Sequence, residues 1–126
     1  MKKTKRSKQW AVAKQKEYLG RHLICDIWGG KMIENSKELE EVLRLAAKKA
    51  KSTDLEFISH KFSPQGITGV LILAESHITF HSWPEKKYLA LDIFTCGKKT
   101  DPEAALSFLK EVLKPEKIKI RRIKRG

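Results

Sequence analysis

The chain of 126 residues is 40% hydrophobic and 33% charged, a length and composition that suit one soluble domain with its own core. It contains no apolar run near the roughly 18 residues that span a membrane, and its basic N-terminus lacks the apolar stretch of a signal peptide. We therefore expect a cytoplasmic protein.

The net charge of +12 lies at the two ends of the chain. Residues 1–18 contain seven basic residues and one acid, a net +6, and residues 114–126 contain the same numbers. Residues 19–113 contain 13 basic and 13 acidic residues and are neutral. The pattern predicts a basic N-terminal arm over 1–18 followed by a single domain over 19–126. Basic ends of this kind are compatible with a nucleic-acid partner but do not require one.

The first half of the domain is predicted to form a strand, a helix and a second strand. Polar and apolar residues alternate over 20–28, and two glycines end the run, which is typical of a β-strand. Asn35 can cap a helix whose apolar residues recur at helical spacing over 39–50. Alternation returns over 55–60 and predicts the second strand.

Three or four strands in all are predicted between the two helices, and a final strand follows the second helix. Residues 67–73 are apolar almost throughout, as in an internal strand. A polar-rich, strand-like stretch continues after Glu75 up to a turn at 83–87, and another strand over 88–96 follows. Asp101, with a proline directly after it, suits the start of the second helix. Isoleucines alternate with basic residues over 118–123, which favours a short strand at a sheet edge.

This order of elements predicts an α+β fold, in which a mainly antiparallel sheet carries both helices on one face as a two-layer sandwich. Each helix has a single apolar stripe, and the chain offers no further element to cover the other face of the sheet. We therefore expect a homodimer that packs through this sheet face or through a sheet edge.

Cysteines and histidines are the candidate chemical groups. Cys25 and Cys96 are expected to be small buried residues or reactive thiols, because a cytoplasmic domain of this size needs no disulfide. His77 and His81 would lie on one face of a strand about 13 Å apart, which is too far to share a metal ion. No glycine-rich phosphate loop is present, so we expect neither a metal nor a nucleotide-phosphate site.

The segment 75–85 carries the most specific pattern in the chain. It reads Glu-Ser-His-Ile-Thr-Phe-His-Ser-Trp-Pro-Glu, and Asp-Ile-Phe-Thr-Cys-Gly follows at 92–97. With Leu-Gly-Arg-His-Leu at 19–23, Phe-Ser-Pro-Gln-Gly at 62–66 and Lys-Pro-Glu-Lys at 114–117, it resembles the small prokaryotic S-adenosylmethionine decarboxylases, the pyruvoyl enzymes of spermidine synthesis. The resemblance covers the whole predicted domain in order and spacing.

The resemblance implies a proenzyme that cuts itself between Glu75 and Ser76. The Ser76 hydroxyl would attack the Glu75 carbonyl, and elimination followed by hydrolysis would leave a pyruvoyl group at the start of the second fragment. Residues 1–75 and 76–126 would then be two subunits packed as one fold. The pyruvoyl carbonyl would form a Schiff base with the amine of S-adenosylmethionine and replace pyridoxal phosphate as electron sink, without a metal.

The resemblance also implies roles for five further residues. His81 would accept the α-proton during processing, and the Thr68 hydroxyl, at a position where relatives often have serine, would support the intermediate. Cys96 would donate the proton to the substrate carbon after decarboxylation. Phe62 would stack on the adenine ring, and Glu85 would supply a carboxylate of the substrate site.

Strand alternation raises one difficulty for this arrangement. In a regular strand Ser76 and His81 lie on opposite faces, so the chain must bend or bulge between them if both are to serve one site. We therefore expect an irregularity over 75–77. Two alternative functions stay open at this point: a pyruvoyl-dependent arginine decarboxylase of the same family, and a basic nucleic-acid-binding module.

Overall fold

A six-stranded antiparallel sheet forms one layer of the fold. The computed structural model describes residues 18–126, so the arm predicted over 1–18 lies outside the described residues except for Tyr18. The strands are β1 (Gly20–Trp28), β2 (Asp54–Lys61), β3 (Ile67–Leu73), β4 (Ser76–Trp83), β5 (Tyr88–Cys96) and β6 (Lys117–Arg125). They lie in the order β2-β3-β4-β5-β1-β6, and every neighbouring pair is antiparallel. The basic strand β6 is at an edge, as predicted.

Two helices form the second layer, and both begin at the predicted caps. The helices are α1 (Ser36–Lys49) and α2 (Pro102–Leu113), and a short 3-10 helix spans Pro84–Lys86. The Asn35 side chain accepts a hydrogen bond from the backbone N–H of Glu38 at 3.0 Å, and Asp101 accepts one from Ala104 at 3.1 Å. These bonds satisfy amide groups that a helix start leaves unpaired. Neither described helix is long and apolar enough to cross a membrane.

The hydrophobic core lies between the helices and one face of the sheet. α1 contacts β2 and β3, α2 contacts β1 and β5, and the helices contact each other. Buried side chains alternate along the strands, for example Leu23, Cys25 and Ile27 on β1, and they meet Leu39 and Leu43 from α1. This two-layer arrangement confirms the predicted α+β fold.

The opposite face of the sheet, which we call the open face, is covered by no other element of residues 18–126. The alternate positions of the central strands place side chains such as Val70, Thr79 and Ala90 on it. Ile72 and Trp83 also belong to this face and are 37% and 42% exposed. The face therefore combines apolar and polar groups and is available for contact with another molecule.

Candidate active site

The predicted cleavage site lies in the tight turn between β3 and β4. Leu73 and Ser76 pair across the hairpin, so only Ala74 and Glu75 connect the two strands. Ser76 has a φ of 144°, which residues with a Cβ atom rarely adopt and which costs about 1–3 kcal/mol. The irregularity predicted over 75–77 is confirmed, and it is centred on the serine.

The carbonyl group on the N-terminal side of Ser76 is held by the neighbouring strand. The backbone N–H of Cys96 donates a hydrogen bond to the carbonyl oxygen of Glu75 at 3.0 Å. Negative charge would develop on this oxygen if the Ser76 hydroxyl attacked the Glu75 carbonyl carbon, and an N–H donor already in place stabilises such a charge. The end of β5 therefore supplies one electrostatic requirement of an acyl shift at this bond.

A neutral histidine lies beside the Ser76 hydroxyl. The Oγ atom of Ser76 and the Nδ1 atom of His77 are 3.4 Å apart, and the His77 ring packs edge-on against Phe94 with centroids 5.7 Å apart. Burial lowers the pKa of His77, and the nearby His22 lowers it further. The ring is therefore uncharged near neutral pH and can accept a hydrogen bond or a proton.

A hydrogen-bonded network behind His77 was missed by the sequence analysis. His22 Nε2 lies 3.0 Å from Asp92 Oδ1, and the Thr79 hydroxyl donates to Asp92 Oδ2 at 3.2 Å. The centroids of the His22 and His77 rings are 6.2 Å apart. Alternation places all four side chains on the open face, but their contact depends on strand register, which the sequence does not reveal.

The two cysteines have different environments. Cys25 is 1% exposed in the core, and burial, followed by the charge of Asp92, raises the pKa of its thiol to about 12. This thiol is structural, as expected. Cys96 is exposed at the end of β5, beside the turn that contains Glu75. The alternative of a buried core thiol is therefore wrong for Cys96, and its side chain is accessible to a substrate.

The other predicted site residues lie together at the opposite end of β4. The Thr68 hydroxyl and His81 Nδ1 are 2.9 Å apart, on adjacent strands in direct register. Both line a cleft of about 470 Å³ that also includes Phe62, Trp83 and Glu85. A cleft with aromatic rings, a histidine and a carboxylate can hold a flat heterocycle that carries hydroxyl groups.

The structure thus separates the predicted residues into two groups, which we call the serine group (Glu75, Ser76 and Cys96) and the histidine group (Phe62, Thr68, His81 and Glu85). His81 lies five positions after Ser76, or about 16 Å away at the roughly 3.3 Å rise of a strand. From Ser76 to His81, β4 pairs with both β3 and β5 without a register shift. The irregularity at Ser76 therefore does not bend β4 toward His81, and within one chain the two side chains stay apart.

Comparison with known proteins places this geometry in a family. A family model described as S-adenosylmethionine decarboxylase matches residues 21–126. The chain belongs to the S-adenosylmethionine decarboxylase family. It is 46% identical over 112 residues to the S-adenosylmethionine decarboxylase proenzyme of Methanococcus aeolicus, covering 87% of this chain and 96% of that relative. The proenzyme of Caldicellulosiruptor bescii is 44% identical over 110 residues, which cover 86% and 89% of the two chains.

A solved structure agrees with this assignment. The crystal structure of the adenosylmethionine decarboxylase from Aquifex aeolicus matches with a TM-score of 0.80 and 33% sequence identity, covering 86% of this chain and 92% of that one. The match covers most of both chains, so the S-adenosylmethionine decarboxylase fold is confirmed together with the family.

The family also identifies the cofactor. S-adenosylmethionine decarboxylases of this type are proenzymes whose pyruvoyl group forms from a serine, and they depend on neither pyridoxal phosphate nor a metal. Ser76 fits the requirement for such a serine, because its backbone is strained and the preceding carbonyl is hydrogen-bonded. Among the described residues no cluster of His, Cys, Asp or Glu could hold a metal ion. The relatives favour S-adenosylmethionine decarboxylation over both alternative functions.

Proposed function

We propose that the chain cuts itself between Glu75 and Ser76 and then decarboxylates S-adenosylmethionine, giving the aminopropyl donor for spermidine synthesis in the cytoplasm. The fragments 1–75 and 76–126 would stay together in one fold, because β3 and β4 remain paired on either side of the cut. The observation that carries the proposal is the strained Ser76 next to a carbonyl that Cys96 holds by its backbone N–H.

Processing uses groups that lie at the turn. The Ser76 oxygen attacks the Glu75 carbonyl carbon, the peptide C–N bond breaks and an ester forms, while the proton of the hydroxyl moves to the departing nitrogen. A base then removes the Ser76 α-proton, the bond between Cβ and Oγ of residue 76 breaks as the Cα=Cβ double bond forms, and Oγ leaves with Glu75 as its carboxylate. Water hydrolyses the resulting dehydroalanine to the pyruvoyl group and ammonia. The Cys96 N–H stabilises the oxyanion of the first step.

We propose that His81 of a partner subunit, held by the partner's Thr68, is the base for the α-proton. Within one chain His81 is about 16 Å from Ser76, whereas a general base has to be within hydrogen-bonding distance or one water molecule of the proton. The hydrogen bond of 2.9 Å between the Thr68 hydroxyl and His81 Nδ1 orients the ring. A homodimer would therefore complete a site that each chain leaves in two parts.

The open face provides a geometry for this dimer. Two sheets that pack face to face lie about 10 Å apart. Consider a two-fold axis that lies midway between the two sheets, runs perpendicular to the strands and passes over β4 near Thr79. This axis reverses the strand direction, so the Ser76 end of one β4 faces the His81 end of the other. The positive φ of Ser76 takes its side chain out of the strand alternation, and its hydroxyl lies 3.4 Å from the ring of His77, a residue of the open face. Both ends then form equivalent sites, in which a serine group meets the partner's histidine group. The exposed Ile72 and Trp83 would be buried in this arrangement.

The same arrangement assigns the substrate contacts. When formed, the pyruvoyl group supplies the electron sink for loss of carbon dioxide. Phe62, which also packs on His60 with ring centroids 4.6 Å apart, offers a face on which the adenine ring stacks. Glu85 can accept hydrogen bonds from ribose hydroxyls. Cys96, exposed beside the serine, donates the proton to the substrate α-carbon.

Intact-mass analysis tests the proposal. The purified chain should yield two fragments that meet at Glu75 and Ser76, the second without a free amino group, and should release carbon dioxide from S-adenosylmethionine but not from arginine. Ser76→Ala should remain a single chain without activity. Ser107→Ala, at an exposed serine on α2, is the matched control and should process normally. Activity in uncleaved Ser76→Ala would disprove the mechanism.

A further inference from the structure

Thr53 holds Ala74 and Glu75, the two residues of the turn that precede Ser76. Neither the motifs nor the family assignment gave Thr53 a role. Thr53 lies directly before β2, and its backbone N–H donates to Glu75 Oε1 at 2.8 Å. Its hydroxyl lies 3.3 Å from Glu75 Oε2, and its carbonyl oxygen accepts a hydrogen bond from the N–H of Ala74 at 2.9 Å. One residue therefore bonds to both residues of the turn.

From this geometry we infer that Thr53 is a positioning residue for self-cleavage, holding the acyl half of the scissile bond while the Ser76 half is strained. The inference rests on the proposed cut between Glu75 and Ser76. Thr53 touches none of the reacting atoms and acts through the Glu75 side chain and the turn backbone.

The strain explains why the turn has to be held. A two-residue turn can relieve the unfavourable φ at Ser76 by rotating the peptide group between Glu75 and Ser76. This rotation would move the Glu75 carbonyl carbon away from the serine hydroxyl. Thr53 opposes the rotation through the side chain of Glu75, and Cys96 opposes it through the carbonyl oxygen. Attack within one molecule is fast only when the reacting atoms stay near 3 Å apart and aligned.

The start of β2 is shaped to make these contacts. The pairing of β2 with β3 shifts register between Asp54 and Glu56, which is typical of a β-bulge that redirects the chain. The shift lies directly after Thr53, at the end of the β3–β4 hairpin. The bonds to Glu75 involve a carboxylate, and charge-assisted bonds of this kind are stronger than neutral ones. Their partial exposure limits their contribution to the stability of the whole fold.

A kinetic comparison of precursors tests the inference. Each full-length variant is made by cell-free synthesis, synthesis is stopped, and the fraction of cleaved chain is followed by intact mass. Thr53→Val removes the hydroxyl and should slow cleavage about three- to tenfold, whereas Thr53→Ser should cleave within about twofold of wild type. Glu75→Ala removes both acceptors and should slow cleavage by about tenfold or more. Thr53→Val should then have no further effect in the Glu75→Ala background.

Two controls separate positioning from general destabilisation. Ser59→Ala, also at the β2 edge, removes the side-chain hydrogen bond to Ser36 and should cleave at the wild-type rate. Once Thr53→Val is fully cleaved, its decarboxylation rate per cleaved chain should match that of wild type. Equal slowing in Ser59→Ala, or additive effects of Thr53→Val and Glu75→Ala, would overturn the inference.

The failure of the inference can be distinguished from the failure of the proposed function. If wild type is never cut between Glu75 and Ser76, the proposed function is wrong. If wild type is cut there and both Thr53→Val and Glu75→Ala are cut as fast as wild type, only the role of Thr53 is wrong.

Discussion

Co-expression of two variants that are each unable to process tests whether the site is shared between subunits. Ser76→Ala lacks the reacting hydroxyl, and His81→Ala lacks the proposed base. In a heterodimer of the two, the intact Ser76 of the His81→Ala chain faces the partner's intact His81, so this one site is complete. The second site of the same heterodimer lacks both groups. Only the His81→Ala chain should therefore be cut.

The expected amount of cleavage follows from random pairing. With equal expression, about half of the His81→Ala chains pair with a Ser76→Ala chain and about half pair with themselves. About 50% of the His81→Ala chains should therefore be cleaved, against little or none when that variant is expressed alone. The basis is the separation of about 16 Å along the unbroken strand β4, which prevents the two groups from meeting within one chain.

A reciprocal mixture strengthens the test. When wild type is co-expressed with a chain that carries both substitutions, about half of the wild-type chains should stay uncut, because their Ser76 faces a partner without His81. Tags of different mass distinguish the chains in intact-mass spectra. A site within one chain predicts the opposite in both mixtures: no cleavage of His81→Ala and complete cleavage of wild type. Either of these results would refute the shared site.

Three further predictions concern reactivity and stability. Burial raises the pKa of Cys25 from the ordinary value of 9.0 to about 12, so its thiolate fraction near neutral pH is roughly a thousandfold smaller than that of an ordinary thiol. A thiol reagent should therefore modify only Cys96 in the native protein and both cysteines after denaturation. Gly69→Ala should lower the free energy of unfolding in urea by about 1–3 kcal/mol, because the new methyl would lie 2.6 Å from a leucine of α1. The hydrogen bond from Arg44 lowers the pKa of Asp54. The stability that the ionised Asp54 adds to the folded state is therefore present above the unfolded pKa of about 3.9 and is lost as the pH falls through the folded pKa. Asp54→Asn should lower Tm near pH 7, and by less in strong acid.

Local patterns predicted the elements of this fold well, because each depends on neighbours in the sequence. The caps at Asn35 and Asp101 formed as expected, since a cap needs only a side-chain oxygen and an amide two or three residues later. The edge position of β6 was predictable, because its many basic residues favour solvent over a second neighbouring strand. Two helices with one apolar stripe each then left one sheet face open.

Contacts between distant segments were harder to predict, because they depend on register. Thr53 and Glu75 are 22 residues apart in sequence, and His22 and Asp92 are 70 apart. A shift by one residue in the pairing of β1 with β5 would reverse which of their side chains share a face. The resemblance supplied the members of the proposed site, and alternation indicated the conflict between Ser76 and His81. Only the pairing of β4 with β3 and β5 in the structure shows that no bend lies between these two residues.

The conformation of Ser76 links the fold to the chemistry. A glycine at position 76 would adopt φ of 144° without a Cβ penalty, but it has no hydroxyl to attack the preceding carbonyl. The proposed mechanism therefore requires a strained serine here, at a cost of about 1–3 kcal/mol that the surrounding sheet and core have to offset. Conversion to a pyruvoyl group removes the nitrogen of residue 76 and with it the φ torsion. The strain would thus be released by the reaction that it favours, and the release would help to make the cleavage irreversible.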